Sequence, residues 1–254
     1  MRLLEQKIIV VTGGSEGIGW DCARAYAVHG ATVVVVARSG DKVVAAAAEL
    51  GEGHLGLACD VSNEGEVAAV LDAVVQRYGR IDAVHNNAGI ATPSKPVHET
   101  SAAEWDALFA INVRSILHTT THAFEALKAS RGSILNTSSM VGVIGQEAHA
   151  AYTATKGAMN TLTKSMALDY ARHGIRVNAV CPAGTWTPML RQWCAEQADP
   201  HATEDYLDKI HPLGYCPEGD VIADPCVFLL SDMARFITGH ILHVSGGAEI
   251  GYRR

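Results

Sequence analysis

The sequence predicts an α/β fold: a doubly wound parallel sheet of about seven strands, forming a single domain over residues 1–254. Three observations predict it. Short β-branched runs alternate along the whole chain with longer Ala-rich segments whose apolar residues recur every three or four positions. The runs are apolar on both faces, as in strands covered by helices on either side. The first run empties into a glycine-rich turn that opens a helix, the arrangement of a ligand-binding strand–turn–helix unit.

In chain order, "KIIVVTG" (7–13) is the first strand, and "VVTGGSEGIG" (10–19) carries it through Gly13, Gly14, Gly17 and Gly19 into a helix over 17–29. "TVVVVAR" (32–38) and "HLGLACD" (54–60) are the next two strands, followed by a helix over 63–78. "DAVHNNAG" (82–89), a helical stretch over 101–129, "SILNTSS" (133–139), a helix over 152–172, "IRVNAVCP" (175–182) and "HILHVSGG" (240–247) complete the alternation. The rhythm breaks over 184–218, where Trp, Met, Pro and Cys replace it and something other than sheet is expected. No repeat, low-complexity tract or linker divides the chain.

Composition narrows the function. With 48% hydrophobic and 19% charged residues the chain suits a compact enzyme. The formal charge of −7 is spread along the sequence with no basic stripe, which argues against nucleic acid. No apolar run is long enough to span a bilayer and no signal-peptide pattern opens the chain, so a cytoplasmic protein is expected. Six cysteines form no C-x-x-C pair and read as buried free thiols. "HTTTH" (118–122) has the i,i+4 spacing of metal ligands but lacks an internal Glu and a third ligand; two histidines on a helix surface, and no metal, are expected.

Several motifs carry chemistry. Glycines in the first turn let the backbone approach a pyrophosphate at a helix N-terminus. Asp60 and the "NNAG" run (86–89) fall at the ends of strands, where ligands bind in this architecture, although Asp60 before "SNEGE" also reads as a helix entry. In "AYTATKGAMN" (151–160), Tyr152 and Lys156 are four apart and share a helix face. Alone, such a pair reads as snorkelling surface side chains.

Taken together, the chain resembles the short-chain dehydrogenase/reductase family over nearly its whole length. The resemblance rests on "TGGSEGIG", Asp60, "NNAG", Asn112 in "FAINVRS", Ser139 in "NTSSMVG" thirteen positions before Tyr152, Lys156, and the tail "DPCVFLLSDMARFITGHILHVSGG". It implies a Rossmann-type sheet and an oxidoreductase that interconverts a secondary alcohol and a ketone with a nicotinamide dinucleotide. Tyr152 would pass a proton to or from the substrate oxygen, which Ser139 would also hydrogen-bond; Lys156, together with the positively charged ring of an oxidised nicotinamide, would lower the phenol's pKa from about 10, and Lys156 would also anchor the nicotinamide ribose. Asn112 would orient a water linking Lys156 to solvent. The implied cofactor contacts are Gly13, Ser15, Gly17, Ile18, Gly19, Arg38, Asp60, Val61, Asn87, Ala88, Gly89, Tyr152, Lys156, Pro182, Gly184 and Thr187. Where the family commonly has C-P-G, "CPAGTWTPM" has Ala183, which puts the loop geometry in question.

Cofactor choice turns on the end of the second strand. An NAD-preferring member typically has an acidic residue where this chain has Ala37, and Arg38 follows with planar donors suited to a 2′-phosphate. NADP is therefore expected over NAD, against which Glu16 stands where many NADP-preferring relatives are basic. Residues 184–218 resemble the family's substrate loop, and Trp186, Met189 and Trp193 suggest, with Ser139 and Tyr152, a site for an apolar or cyclic small molecule. The same aromatics would also serve to pack the loop onto the sheet. A sugar or hydroxy acid substrate, or a non-catalytic nucleotide-binding regulator, are the alternatives; the regulator would be expected to have lost Ser139, Tyr152 or Lys156. The resemblance further implies a homo-oligomer, dimer or tetramer, paired through the helices at 101–129 and 152–172.

Overall fold

The computed structural model describes residues 2–251. Seven parallel strands form one sheet in the order β3-β2-β1-β4-β5-β6-β7. They are β1 (Ile8–Thr12), β2 (Thr32–Ala37), β3 (Leu55–Ala58), β4 (Ala83–Asn86), β5 (Ser133–Thr137), β6 (Arg176–Pro182) and β7 (Ile241–Val244). Every predicted strand is present.

The alternation of side chains along a strand builds a core on each side of the sheet. Ile9, Val11, Val33 and Val35 face α1 (Gly17–Val28), α2 (Gly40–Leu50) and α9 (Asp220–Leu230). Ile8, Val10, Val34 and Val36 face α3 (Glu64–Tyr78), α5 (Ser115–Ser130) and α6 (Ala150–Tyr170). Both faces being covered explains why the strands read as continuous apolar runs, each fully buried Val or Ile contributing about 1.5–3 kcal/mol.

Local signals set the helix ends. Asn63 caps α3 by accepting from the amides of Gly65 and Glu66, and Gly79 closes it at φ 75°. Ser101 and Glu104 form a reciprocal capping box on α4 (Ala102–Phe109). The expected helix over 101–129 is interrupted by a π-helical turn at Ala110–Arg114 before α5 begins. That one-residue widening buries Asn112, a poor helix former, inside the helix.

Residues 184–218 contain two helices rather than open loop: α7 (Pro188–Ala195), capped by Thr187, and α8 (Pro200–Ile210), capped by Asp199. A parallel bridge between Trp186 and Glu218 closes the segment at its base. The six cysteines are free and buried. The "HTTTH" expectation needs correcting. His118 is buried, with Nδ1 3.1 Å from the Val61 carbonyl, because α5 packs against α3 on this face; His122 is partly exposed, 3.3 Å from Glu64. Among the described residues, no helix is long and apolar enough to cross a membrane.

Candidate active site

The strand order reverses between β1 and β4, so the loops leaving their C-terminal ends diverge and open a crevice of about 440 Å³. Gly13 and Gly17 adopt φ of +63° and +58°, a region that side chains disfavour. At buried Gly19 an added Cβ would collide with Asn87 Nδ2 and the Gly13 carbonyl oxygen, so the turn closes only around glycine. Asn87 fastens this turn to β4: its Nδ2 donates to the carbonyls of Thr12 and Gly13, and the Thr12 hydroxyl accepts from the amides of Asn87 and Ala88. The cradle is rigid, glycine-walled and at the start of α1, which fits a dinucleotide's pyrophosphate.

Three groups converge deeper in the crevice. Ser139 follows β5, while Tyr152 and Lys156 rise one turn apart on α6, the ammonium 5.6 Å from the Tyr152 ring centroid. Lys156 is buried and donates to the Thr137 carbonyl at 2.7 Å. Burial pushes the Tyr152 phenol up to about 12, with the Ser139 hydroxyl pulling the other way. Burial likewise pulls Lys156 down to about 8. The protein alone therefore keeps the Tyr152 phenol protonated, and Lys156 does not bring its pKa to neutral pH unaided, because both groups have lost water.

Asn112 reaches the same place from the π turn. Its Oδ1 accepts from the Ile90 amide and its Nδ2 donates to the Ile90 carbonyl and to Thr155 Oγ1. Its side chain thus clamps the Gly89–Ile90 backbone: a Cβ on Gly89 would lie 3.2 Å from Asn112 Oδ1 and 3.8 Å from Lys156 Nζ.

At the opposite end, Arg38 lies beside Asp60. Hydrogen bonds from the Ser62 hydroxyl and amide hold the Asp60 carboxyl below its usual range, and the guanidinium adds to the effect. Asp60 is therefore no helix cap; Asn63 has that place. Glu16 is paired with Lys42 at 2.7 Å. Lys42, on the first turn of α2, lines the crevice although no motif marked it, since one lysine in an Ala-rich helix carries no spacing signal. Thr12 and Thr137 were hidden for a related reason, acting as buried residues at the ends of β1 and β5 through a hydroxyl and a main-chain carbonyl.

Of the expected cofactor contacts, Gly13, Ser15, Gly17, Ile18, Arg38, Asp60, Val61, Asn87, Ala88, Gly89, Tyr152, Lys156, Pro182 and Thr187 line the crevice. Gly19 lies beneath it, and Gly184 faces His211, Cys216 and Leu207 instead. Ala183 needs no positive φ, so its replacement of glycine leaves the loop unstrained. Of the expected substrate residues Met189 lines the crevice with Ser139 and Tyr152; Trp186 and Trp193 instead pack with Cys194, Leu207 and Cys216 in a small separate core. Arg191 stacks on Trp186 and pairs with Glu218.

Residues 13–249 match a family model described as enoyl-(acyl carrier protein) reductase. The chain belongs to the short-chain dehydrogenase/reductase family. It is 40% identical over 248 residues to an L-fucose dehydrogenase of Bos taurus, covering 98% of this chain and 91% of that protein. It is 37% identical over 245 residues to a cis-4-hydroxycyclohexanecarboxylate dehydrogenase of Sinomonas cyclohexanicum, covering 95% and 96%. Its fold is similar to that of a 3-ketoacyl-(acyl-carrier-protein) reductase from Brucella melitensis complexed with NADH, with a TM-score of 0.89 and 31% identity over 97% of this chain and 99% of that one. This short-chain dehydrogenase/reductase is a nicotinamide-dependent oxidoreductase acting between alcohols and ketones.

Proposed function

We propose that the protein is an NADP-dependent dehydrogenase or carbonyl reductase for a small cyclic alcohol or ketone, with Ser139, Tyr152 and Lys156 as its catalytic residues. The convergence of these three side chains in one crevice is the observation that carries the reading. A nicotinamide held in the crevice would supply or accept the hydride. Ser139 and Tyr152 orient the substrate oxygen, and Tyr152 gives it a proton during reduction or takes one during oxidation. A phenol held near 12 is ready to donate; for oxidation, Lys156 is the positive charge that this chain places beside it, to which an oxidised nicotinamide would add its own. Asn112 acts through position, fixing Gly89 and Ile90 beside Lys156, since its amide protons are already engaged.

The adenosine end supports NADP over NAD. Ala37 offers no carboxylate to repel a 2′-phosphate, Arg38 offers a charged donor, and of the two carboxylates lining the crevice Glu16 is held by Lys42 and Asp60 by Ser62. At the substrate end, Ile90, Ala91, Ala183, Pro188 and Met189 form an apolar wall, which supports a ring with an apolar face over a hydroxy acid. The named relatives act on a sugar and on a substituted cyclohexanol, both of which present rings. We further propose a cytoplasmic homo-oligomer. The test is a screen of cyclic alcohols and ketones against aldohexoses with each cofactor, read by nicotinamide absorbance. Higher catalytic efficiency with NADP, reversed in Arg38→Asp, is expected; equal or better efficiency with NAD in the wild type refutes the cofactor reading.

A further inference from the structure

We propose that Lys42 is a specificity-determining residue for the adenosine end of the cofactor, shared between Glu16 and a 2′-phosphate. This rests on the NADP reading above and adds a residue to it. The crevice beside Ala37 is bounded by three charged side chains from three elements: Glu16 from the glycine turn, Arg38 from the end of β2 and Lys42 from α2. Arg38 is the expected phosphate donor, but its guanidinium also acts on Asp60, whose carboxyl Ser62 already holds below its usual range. A dianionic phosphate added there meets one cation with two carboxylates, Asp60 and Glu16, lining the same crevice. Lys42 changes that balance.

The Glu16–Lys42 pair is more than half exposed on both sides, at 58% each, and spans 2.7 Å. An exposed pair is weak and its long side chains are mobile between partners. A phosphate offering more charge than a single carboxylate competes effectively for the ammonium, while Arg38 supplies the planar donors that lysine lacks. Both cations line the crevice at the turn after β2, with the Ser39 hydroxyl, which makes no capping hydrogen bond, between them in sequence. Glu16 then has a defined part: it keeps Lys42 folded over the crevice mouth, and its own repulsion of the phosphate is masked as long as the ammonium stands between them. A ribose with a free 2′-hydroxyl gives Lys42 no reason to leave Glu16, so the residue discriminates by the presence of the phosphate and contributes little to NAD.

The test uses fragments that lack nicotinamide, so that binding is read without turnover: calorimetric titration of the purified protein with 2′,5′-ADP and with 5′-AMP, which differ only in the 2′-phosphate. Lys42→Ala is expected to weaken 2′,5′-ADP by about tenfold while changing 5′-AMP less than about twofold. Lys42→Arg is expected to keep the preference, and in Lys42→Ala the further change Glu16→Gln is expected to recover part of the loss, because the unmasked carboxylate is removed. Equal weakening of both fragments, or no weakening of either, overturns the role of Lys42. If the wild type does not prefer 2′,5′-ADP at all, the NADP reading itself falls; if it does and Lys42→Ala keeps the full preference, only the assignment to Lys42 falls.

Discussion

The ammonium of Lys156 stands 5.6 Å from the ring of Tyr152, yet its hydrogen bond goes to the Thr137 carbonyl at 2.7 Å. Strand β5 therefore fixes the lysine, and α6 fixes the tyrosine one turn away. Removing only the phenol oxygen should leave this scaffold standing. Tyr152→Phe is expected to lower turnover by at least about a hundredfold, the usual scale for a positioned proton-transfer group. Cofactor affinity, measured by fluorescence titration, should stay within about twofold of wild type. Turnover within ten percent of wild type, with the chemical step limiting, would exclude Tyr152 as the proton donor.

Lys156 carries a pH signature. Its folded value of about 8 lies below the ordinary 10.5, so between those values the unfolded chain holds a proton that the folded protein does not. Stability then rises with pH across that window. Methionine at this position has no such dependence. The stability of Lys156→Met relative to wild type should fall by about 3 kcal/mol from pH 8 to pH 10.5, measured by urea unfolding. A flat difference would mean that the buried ammonium keeps its ordinary affinity for protons.

Gly19→Ala tests the cradle. The added methyl meets Asn87 Nδ2 and the Gly13 carbonyl, both parts of the turn that Asn87 secures. A cost of about 1–3 kcal/mol in stability is expected from forcing the turn apart. Cofactor affinity should fall at least about tenfold, as the amides of the turn lose their alignment. Unchanged affinity by titration would remove the glycine turn from the binding site.

The outer face of α5 and α6 bears on association. Ile116, Leu117, Phe124, Leu162, Met166 and Tyr170 line a shallow apolar groove there, and Leu117 is 61% exposed. Leu168 is 81% exposed on the same helix pair. Wild-type protein at micromolar concentration should sediment as a dimer or tetramer, and Leu117→Arg should shift it toward 26.9 kDa. A wild-type species of that mass alone would remove the proposed assembly.

Much of this architecture was legible because burial on both sides of the sheet leaves a nearly continuous apolar run in β1 and β2 and short β-branched segments in the strands that follow. The glycine turn and the Tyr152–Lys156 spacing were legible because each depends on residues close in sequence. What escaped depends on distant packing. The Trp186 and Trp193 rings read equally well as pocket wall or core, and only the fold of α7 onto α8 turns them inward. Likewise, His118 looked like a surface histidine until Val61, 57 residues earlier, supplied its partner. Lys42 gains meaning only from Glu16, which the turn after β1 brings within 2.7 Å. The π turn had no sequence mark except an asparagine where a helix former would be expected.

The small core of Cys194, Leu207 and Cys216, with Trp186, Leu190, Trp193 and Ile210 packed against it, forms around α7 and α8, apart from the two cores on the faces of the sheet. Its contribution to stability is therefore largely separate from that of the sheet, and residues around it can change without endangering the strands that hold the cofactor crevice. Such a division would let selection reshape the crevice lining at Met189 and its neighbours while the glycine turn, Ser139, Tyr152 and Lys156 stay constant. One scaffold can thereby serve relatives as chemically unlike as a fucose and a cyclohexanecarboxylate dehydrogenase.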